Sequence, residues 1–176
     1  GLGDFDIVLS YTGDRALAEL RSLLHARRAV ALYGSVDPDV HCPASDALRG
    51  AATHYQADLS YIGTYAADRQ AAMNALLLEP ARQLPDKKFV IAGAQYPSDF
   101  PWSKNIFFVR HLPPAEHPAF FGASRMTLNL TRKAMADYGH CPSGRLFEAA
   151  ACGCPVLSDA WEGFADFFTP GEEMLL

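Results

Sequence analysis

The chain has 176 residues, 49% of them hydrophobic, and a formal net charge of -5. That is enough to bury one sizeable core, which excludes a wholly disordered chain. Basic residues are scattered rather than in runs, so nucleic acid is not expected as the main partner and any phosphate should be bound locally.

Cys42, Cys141, Cys152 and Cys154 make neither paired Cys-x-x-Cys elements nor a disulfide framework, and a reducing, cytoplasmic setting is the default. His41-Cys42, His140-Cys141 and the Cys152/Cys154 pair can be drawn as a zinc site, but such cysteines read as small buried hydrophobes. No metal is expected. No apolar run is long enough to cross a bilayer, and the opening Gly-Leu-Gly-Asp-Phe-Asp lacks the regions of a signal peptide.

In chain order, Asp6 to Tyr11 reads as a strand, Asp14 to Ala26 as a helix through Leu17, Leu20, Leu23 and Leu24, and Ala29 to Tyr33 as a strand. This βαβ unit is followed by turn-rich sequence, which puts a boundary or linker at about Gly34 to Tyr55. The expected division is residues 1–50, a remnant of an N-terminal domain plus linker, and residues 51–176, a second domain with an unfinished sheet. From Asp58 the alternation resumes: a strand at Leu59 to Ile62, the loop Gly63-Thr64-Tyr65, a helix from about Asp68 to Leu84, and a strand at Lys88 to Ala92. Strands at Asn105 to Val109 and Met126 to Leu130 flank a short helix, Ala115 to Ala123, with Phe120 and Phe121 inward. The pattern predicts a Rossmann-like α/β fold, three layers αβα around a mainly parallel sheet.

Pro142 to Asp159 scans as loop, helix, tight turn and buried strand. Ser143 or Pro142 starts the helix, Gly153 ends it, and Val156-Leu157 form the strand. Unpaired N–H groups at a helix start, with a positive dipole end, receive anions. Gly144 belongs to that start, Arg145 adds a fixed charge, and Glu148 shares its face, a layout that suits a nucleotide. The bland alternative is an intrahelical Arg145–Glu148 pair, worth about 0.2–0.5 kcal/mol. Gly63, Thr64 and Arg69 at one strand-to-helix turn, and Thr131 and Arg132 at the end of another strand, face the same crevice; each also reads as an ordinary turn or surface residue.

Five segments in order, Asp58 to Gln70, Phe89 to Gly93, Leu128 to Arg132, Arg145 to Gly153 and Pro170 to Glu173, resemble the carboxyl-terminal half of GT-B glycosyltransferases, and most of all the CgeB-like group. The resemblance implies a nucleotide-sugar donor of the UDP or GDP type, with Glu148 on the ribose and Arg69 and Arg145 on the diphosphate. It implies no cofactor, and a leaving group stabilised without metal. Many relatives carry a second glutamate where this chain has His140, which is expected toward the sugar. The N-terminal domain of the same protein would then be the partner, and the chain alone should bind nucleotide weakly and turn nothing over.

A non-catalytic interaction module on the same fold remains an alternative. A dinucleotide-dependent oxidoreductase is a third, opposed by Gly63-Thr64-Tyr65, which is not a Gly-x-Gly-x-x-Gly loop.

Overall fold

A computed structural model describes residues 1–43, 45 and 52–176, so the expected boundary at residues 50 and 51 lies outside the described residues. The first unit is β1 (Val8–Ser10), α1 (Arg15–Ser22) and β2 (Ala29–Ala31), whose two strands pair in parallel as a sheet of their own.

The second unit carries β3 (Leu59–Ile62), β4 (Phe89–Ala92), β5 (Ile106–Val109), β6 (Thr127–Asn129) and β7 (Val156–Ser158). All pair in parallel, in the order β5-β4-β3-β6-β7. Chain order runs outward from β3 through β4 to β5, then returns to the other side of β3. The reversal opens a crevice between the carboxyl ends of β3 and β6.

Strand residues alternate between two apolar layers, as a sheet covered on both faces requires. Val90 and Ala92 pack with Phe120, Phe121 and Leu146, while Phe89 and Ile91 pack with Met73, Leu77 and Leu128. This is the three-layer Rossmann-like arrangement the sequence predicts, with Phe120 and Phe121 fully buried.

The helix expected over Asp68 to Leu84 is less uniform. A 3-10 turn, Ala67–Arg69, leads into α2, which runs Gln70–Met73, widens into a π turn at Asn74–Leu78 and resumes as Glu79–Gln83. Pro80 lacks the N–H that an α-helical interior needs, and a π turn is one way to absorb that loss. The short helix α3 is His117–Ala123, preceded by a 3-10 turn at Pro114–Glu116.

The sequence reading misses α4 (Lys133–Tyr138). Its first N–H is capped from far away: Asp68 Oδ2 accepts from Lys133 N at 2.8 Å. The helix α5 is Gly144–Ala151, with Ser143 at its N-cap and Gly153 in the left-handed region (φ 68) just past its end. The last residues add isolated bridges, Leu157 with Leu175 and Pro170 with Met174, rather than a further strand.

Candidate nucleotide site

Three carboxyl-terminal features converge on the crevice. The loop after β3 brings Thr64, the segment after β6 brings Thr131 and Arg132, and the loop into α5 brings Ser143 and Arg145. With Arg69, Leu130 and Met135 they line a cavity of about 170 Å³. Six of the ten residues singled out in the sequence therefore share one hollow.

Arg69 is buried at 6% exposure. Its guanidinium donates to the carbonyls of Thr64 and Leu130, the latter at 3.4 Å, and so braces the two loops at the sheet reversal. Arg145 is held differently. Its Nη1 donates to Asn129 Oδ1 at 2.9 Å, and its Cζ lies 5.0 Å from the centroid of the Tyr61 ring; that of Arg69 lies 5.9 Å away. Burial pulls the Arg145 guanidinium below its usual value, the largest cause, while the neighbouring phenols oppose this. It stays charged at neutral pH, because arginine starts so far above it.

Asn129 is completely buried and joins a wider network. Its Nδ2 donates to Ser158 Oγ at 2.9 Å, and Asp159 accepts from the backbone N–H of Thr131 and from its hydroxyl at 2.8 Å. The side chains at the ends of β6 and β7 are thus locked before any ligand arrives. Six buried side-chain atoms have no hydrogen-bond partner among the described residues, and two of them, Arg145 Nε and the Tyr61 hydroxyl, belong to this group.

Gly63 sits against this group. A Cβ there would lie 2.6 Å from Tyr61 Oη and 2.9 Å from Arg145 Nη2, so a side chain would press on both. Gly144, at the start of α5, is exposed, and an added Cβ would meet nothing within 4 Å. Ser143 occupies the N-cap position without a side-chain cap bond, so its hydroxyl is not spent on the helix.

Glu148 lies one turn further along α5, outside the cavity lining. It is neither sealed in nor paired to Arg145: with its side chain 26% exposed, Oε2 meets His117 Nδ1 of α3 at 3.1 Å. The hydrogen bond from His117 is the largest of the causes that hold the carboxyl below its ordinary value, burial opposes it, and the charges of His117, His41 and Arg145 add to the lowering.

His140 also lies outside the lining. Its backbone N–H donates to Glu162 O at 2.7 Å and its carbonyl accepts from Gly13 at 2.9 Å, tying the first unit to the second. Its Nε2 is 2.9 Å from Asp166 and its Nδ1 3.9 Å from Asp14. The ligand atoms of Asp14, His140 and Glu162 lie within 4.8 Å of one another, a carboxylate grouping that the sequence reading did not anticipate. No cysteine joins it: Cys141, Cys152 and Cys154 are buried, Cys42 is exposed, and all four are free.

Residues 69–176 match the family described as Glycosyl transferase-like. The chain belongs to that family. Among solved structures it is similar to sucrose-phosphate synthase from Thermosynechococcus elongatus, with TM-score 0.68 and 19% identity over 97% of this chain and 45% of that one. It is also similar to Anabaena HepE in complex with UDP and glucose (TM-score 0.65, 13% identity, 94% of this chain and 47% of that one). T4 phage BGT in complex with UDP-glucose gives TM-score 0.63 and 14% identity over 96% of this chain and 49% of that one. These likenesses identify the fold as that of GT-B glycosyltransferases. The chain spans less than half the length of each. No curated protein matches it in sequence.

The residues that sequence reasoning left out are Tyr61, His117, Asn129 and Asp159. Asp159 stands at a strand end that faces the crevice, a signal that was available. Asn129, Tyr61 and His117 carry no such mark.

Proposed function

We propose that this glycosyltransferase family member binds a nucleoside diphosphate sugar of the UDP or GDP type at the crevice between β3 and β6. The observation that carries the reading is the meeting of Arg69 and Arg145, from two different elements, on one small cavity beside a helix start. Arg145, which lines that cavity, has an unpartnered Nε besides, and a guanidinium short of acceptors suits a phosphate. HepE and T4 phage BGT, which share the fold, are seen with UDP or UDP-glucose, and this supports the same class of ligand here. Glu148, ionised at neutral pH and partly exposed, is the group for the ribose hydroxyls, and His140 the one toward the sugar.

Chemically, negative charge grows on the diphosphate as the glycosidic bond breaks. Fixed positive groups that meet it in the transition state lower the barrier, and one such donor is worth roughly 100- to 1000-fold in rate. Arg69, Arg145, Ser143 and the start of α5 take that role without any metal in this reading. The first unit belongs in it to the acceptor-side domain of a two-domain enzyme. The assignment to the CgeB-like group rests on motif order, and the four free thiols suit a cytoplasmic setting.

Calorimetric titration with UDP and GDP tests the reading. Weak binding to one of them, lost in Arg145→Ala and in Glu148→Ala, is the expected result. Absence of heat at millimolar nucleotide, or binding indifferent to both substitutions, overturns it.

A further inference from the structure

Arg145 and Glu148 stand three positions apart on α5 and carry opposite charges. Side chains of a helix lean toward its N-terminus, so the turn that carries Arg145 is the one a glutamate at position 148 reaches by default. Arg145 also keeps a buried Nε without a hydrogen-bond partner, the kind of donor that a carboxylate one turn away satisfies. Yet the two do not pair. Among the described residues the Glu148 carboxylate is hydrogen-bonded to His117 Nδ1 at 3.1 Å, and Arg145 Nη1 donates to Asn129 instead.

His117 sits on a rigid support. It opens α3, where Glu116 just before it accepts from the Tyr55 hydroxyl, and Phe120 and Phe121 after it are fully buried. Those two phenylalanines pack with Leu146 and Ala149 of α5 in one apolar cluster, so the core itself sets the imidazole against α5. The side chains of His117 and Glu148 are 19% and 26% exposed, which shields the bond between them in part from water. Nδ1 is the donor, since an ionised carboxylate only accepts. His41 also lies within reach of the Glu148 charge, but its own Nδ1 has no hydrogen-bond partner.

A nucleotide needs the two groups of α5 kept apart. Its diphosphate needs the charge of Arg145 unneutralised, its ribose needs the carboxylate of Glu148 turned to the hydroxyls, and an ion pair between them consumes both. We propose that His117 is a positioning residue for the donor: its bond holds Glu148 off Arg145, so that the acid and the base meet different parts of one ligand. This rests on the donor reading of the crevice. Oε2 takes the His117 bond, and Oε1 is left for a ribose hydroxyl.

Calorimetric titration of the whole chain with UDP and with GDP tests this role, comparing wild type, His117→Ala, His117→Asn, and His117→Ala combined with Glu148→Gln. His117 is partly exposed and alanine is a good helix former, so the fold tolerates the change. For the nucleotide that the wild type binds, His117→Ala is expected to weaken affinity by about fivefold or more, because the released carboxylate folds back on Arg145. Asparagine carries an N–H near the place of Nδ1 and is expected to stay within about twofold of the wild type. Glutamine at position 148 still bonds a hydroxyl but has no charge to neutralise Arg145, so the double variant is expected to bind more tightly than His117→Ala alone. A merely structural role of His117 predicts no such rescue. Unchanged affinity in His117→Ala, an asparagine variant as weak as the alanine one, or a double variant no tighter than His117→Ala overturns the role of His117 alone. A wild type that binds neither nucleotide overturns the donor reading, and the role of His117 falls with it.

Discussion

Arg145 of α5 and Asn129 of β6 are joined by a hydrogen bond of 2.9 Å, which fixes the Arg145 guanidinium through a side chain, where that of Arg69 is fixed by backbone carbonyls. Asn129 in turn donates to Ser158, so its amide cannot rotate freely. Replacing it with leucine keeps the volume but leaves a buried guanidinium one acceptor short, at a cost of roughly 1–3 kcal/mol. The expected outcome for Asn129→Leu is a fall in UDP affinity of about tenfold or more with uridine binding unchanged, read by calorimetry with both ligands. Equal losses for UDP and uridine would show that Asn129 only holds the fold.

Gly93 supports the same region from behind. Its φ is 149, and a Cβ would lie 2.1 Å from the carbonyl oxygen of Gly63, a rigid backbone atom. Gly93→Ala is therefore expected to cost about 3 kcal/mol, or roughly 6–12 °C in melting temperature for a chain of this size. Gly144→Ala is the control, because its Cβ would enter open space. Thermal denaturation of the two variants side by side gives the comparison, and equal melting temperatures would contradict it.

The parts of this arrangement that were legible in the sequence are those set by local rules. Apolar runs gave the seven strands of the described residues, Ser143 and Gly153 marked the ends of α5, a strand end singled out Thr131 and Arg132, and helix starts singled out Thr64, Arg69 and Arg145. What stayed hidden depends on contacts between distant residues. Asp68 caps Lys133 across 65 positions, so α4 shows no cap of its own in the sequence, and its six residues are too short for periodicity to speak. Glu148 and Arg145 share a helix face and a spacing that suggests a pair, yet each finds a better partner on another element, His117 and Asn129.

His140 offers a way to separate the diphosphate from the sugar. It lies outside the cavity of Arg69 and Arg145 and is bonded to Asp166 at 2.9 Å. In His140→Ala the affinity for UDP is expected to change by no more than roughly twofold, the effect of a substitution away from the ligand. A loss confined to UDP-glucose, measured by the same titration, assigns His140 to the sugar. A large loss for UDP itself contradicts the geometry.

The pH dependence of stability follows from Glu148. Its carboxyl is held below the ordinary value of 4.5, chiefly by the hydrogen bond from His117. A group depressed in the folded state contributes stability above its unfolded value, and that contribution is lost as the pH falls through the folded one. Glu148→Gln keeps an acceptor for His117 but removes the charge. The wild type is therefore expected to melt above the variant at pH 6, with the gap closing as the pH drops below 4.5. Melting curves taken between neutral pH and the acid limit of folding measure it. A gap that stays constant down the series means that the Glu148 carboxylate gains nothing from His117, and the electrostatic account of this pair is then wrong.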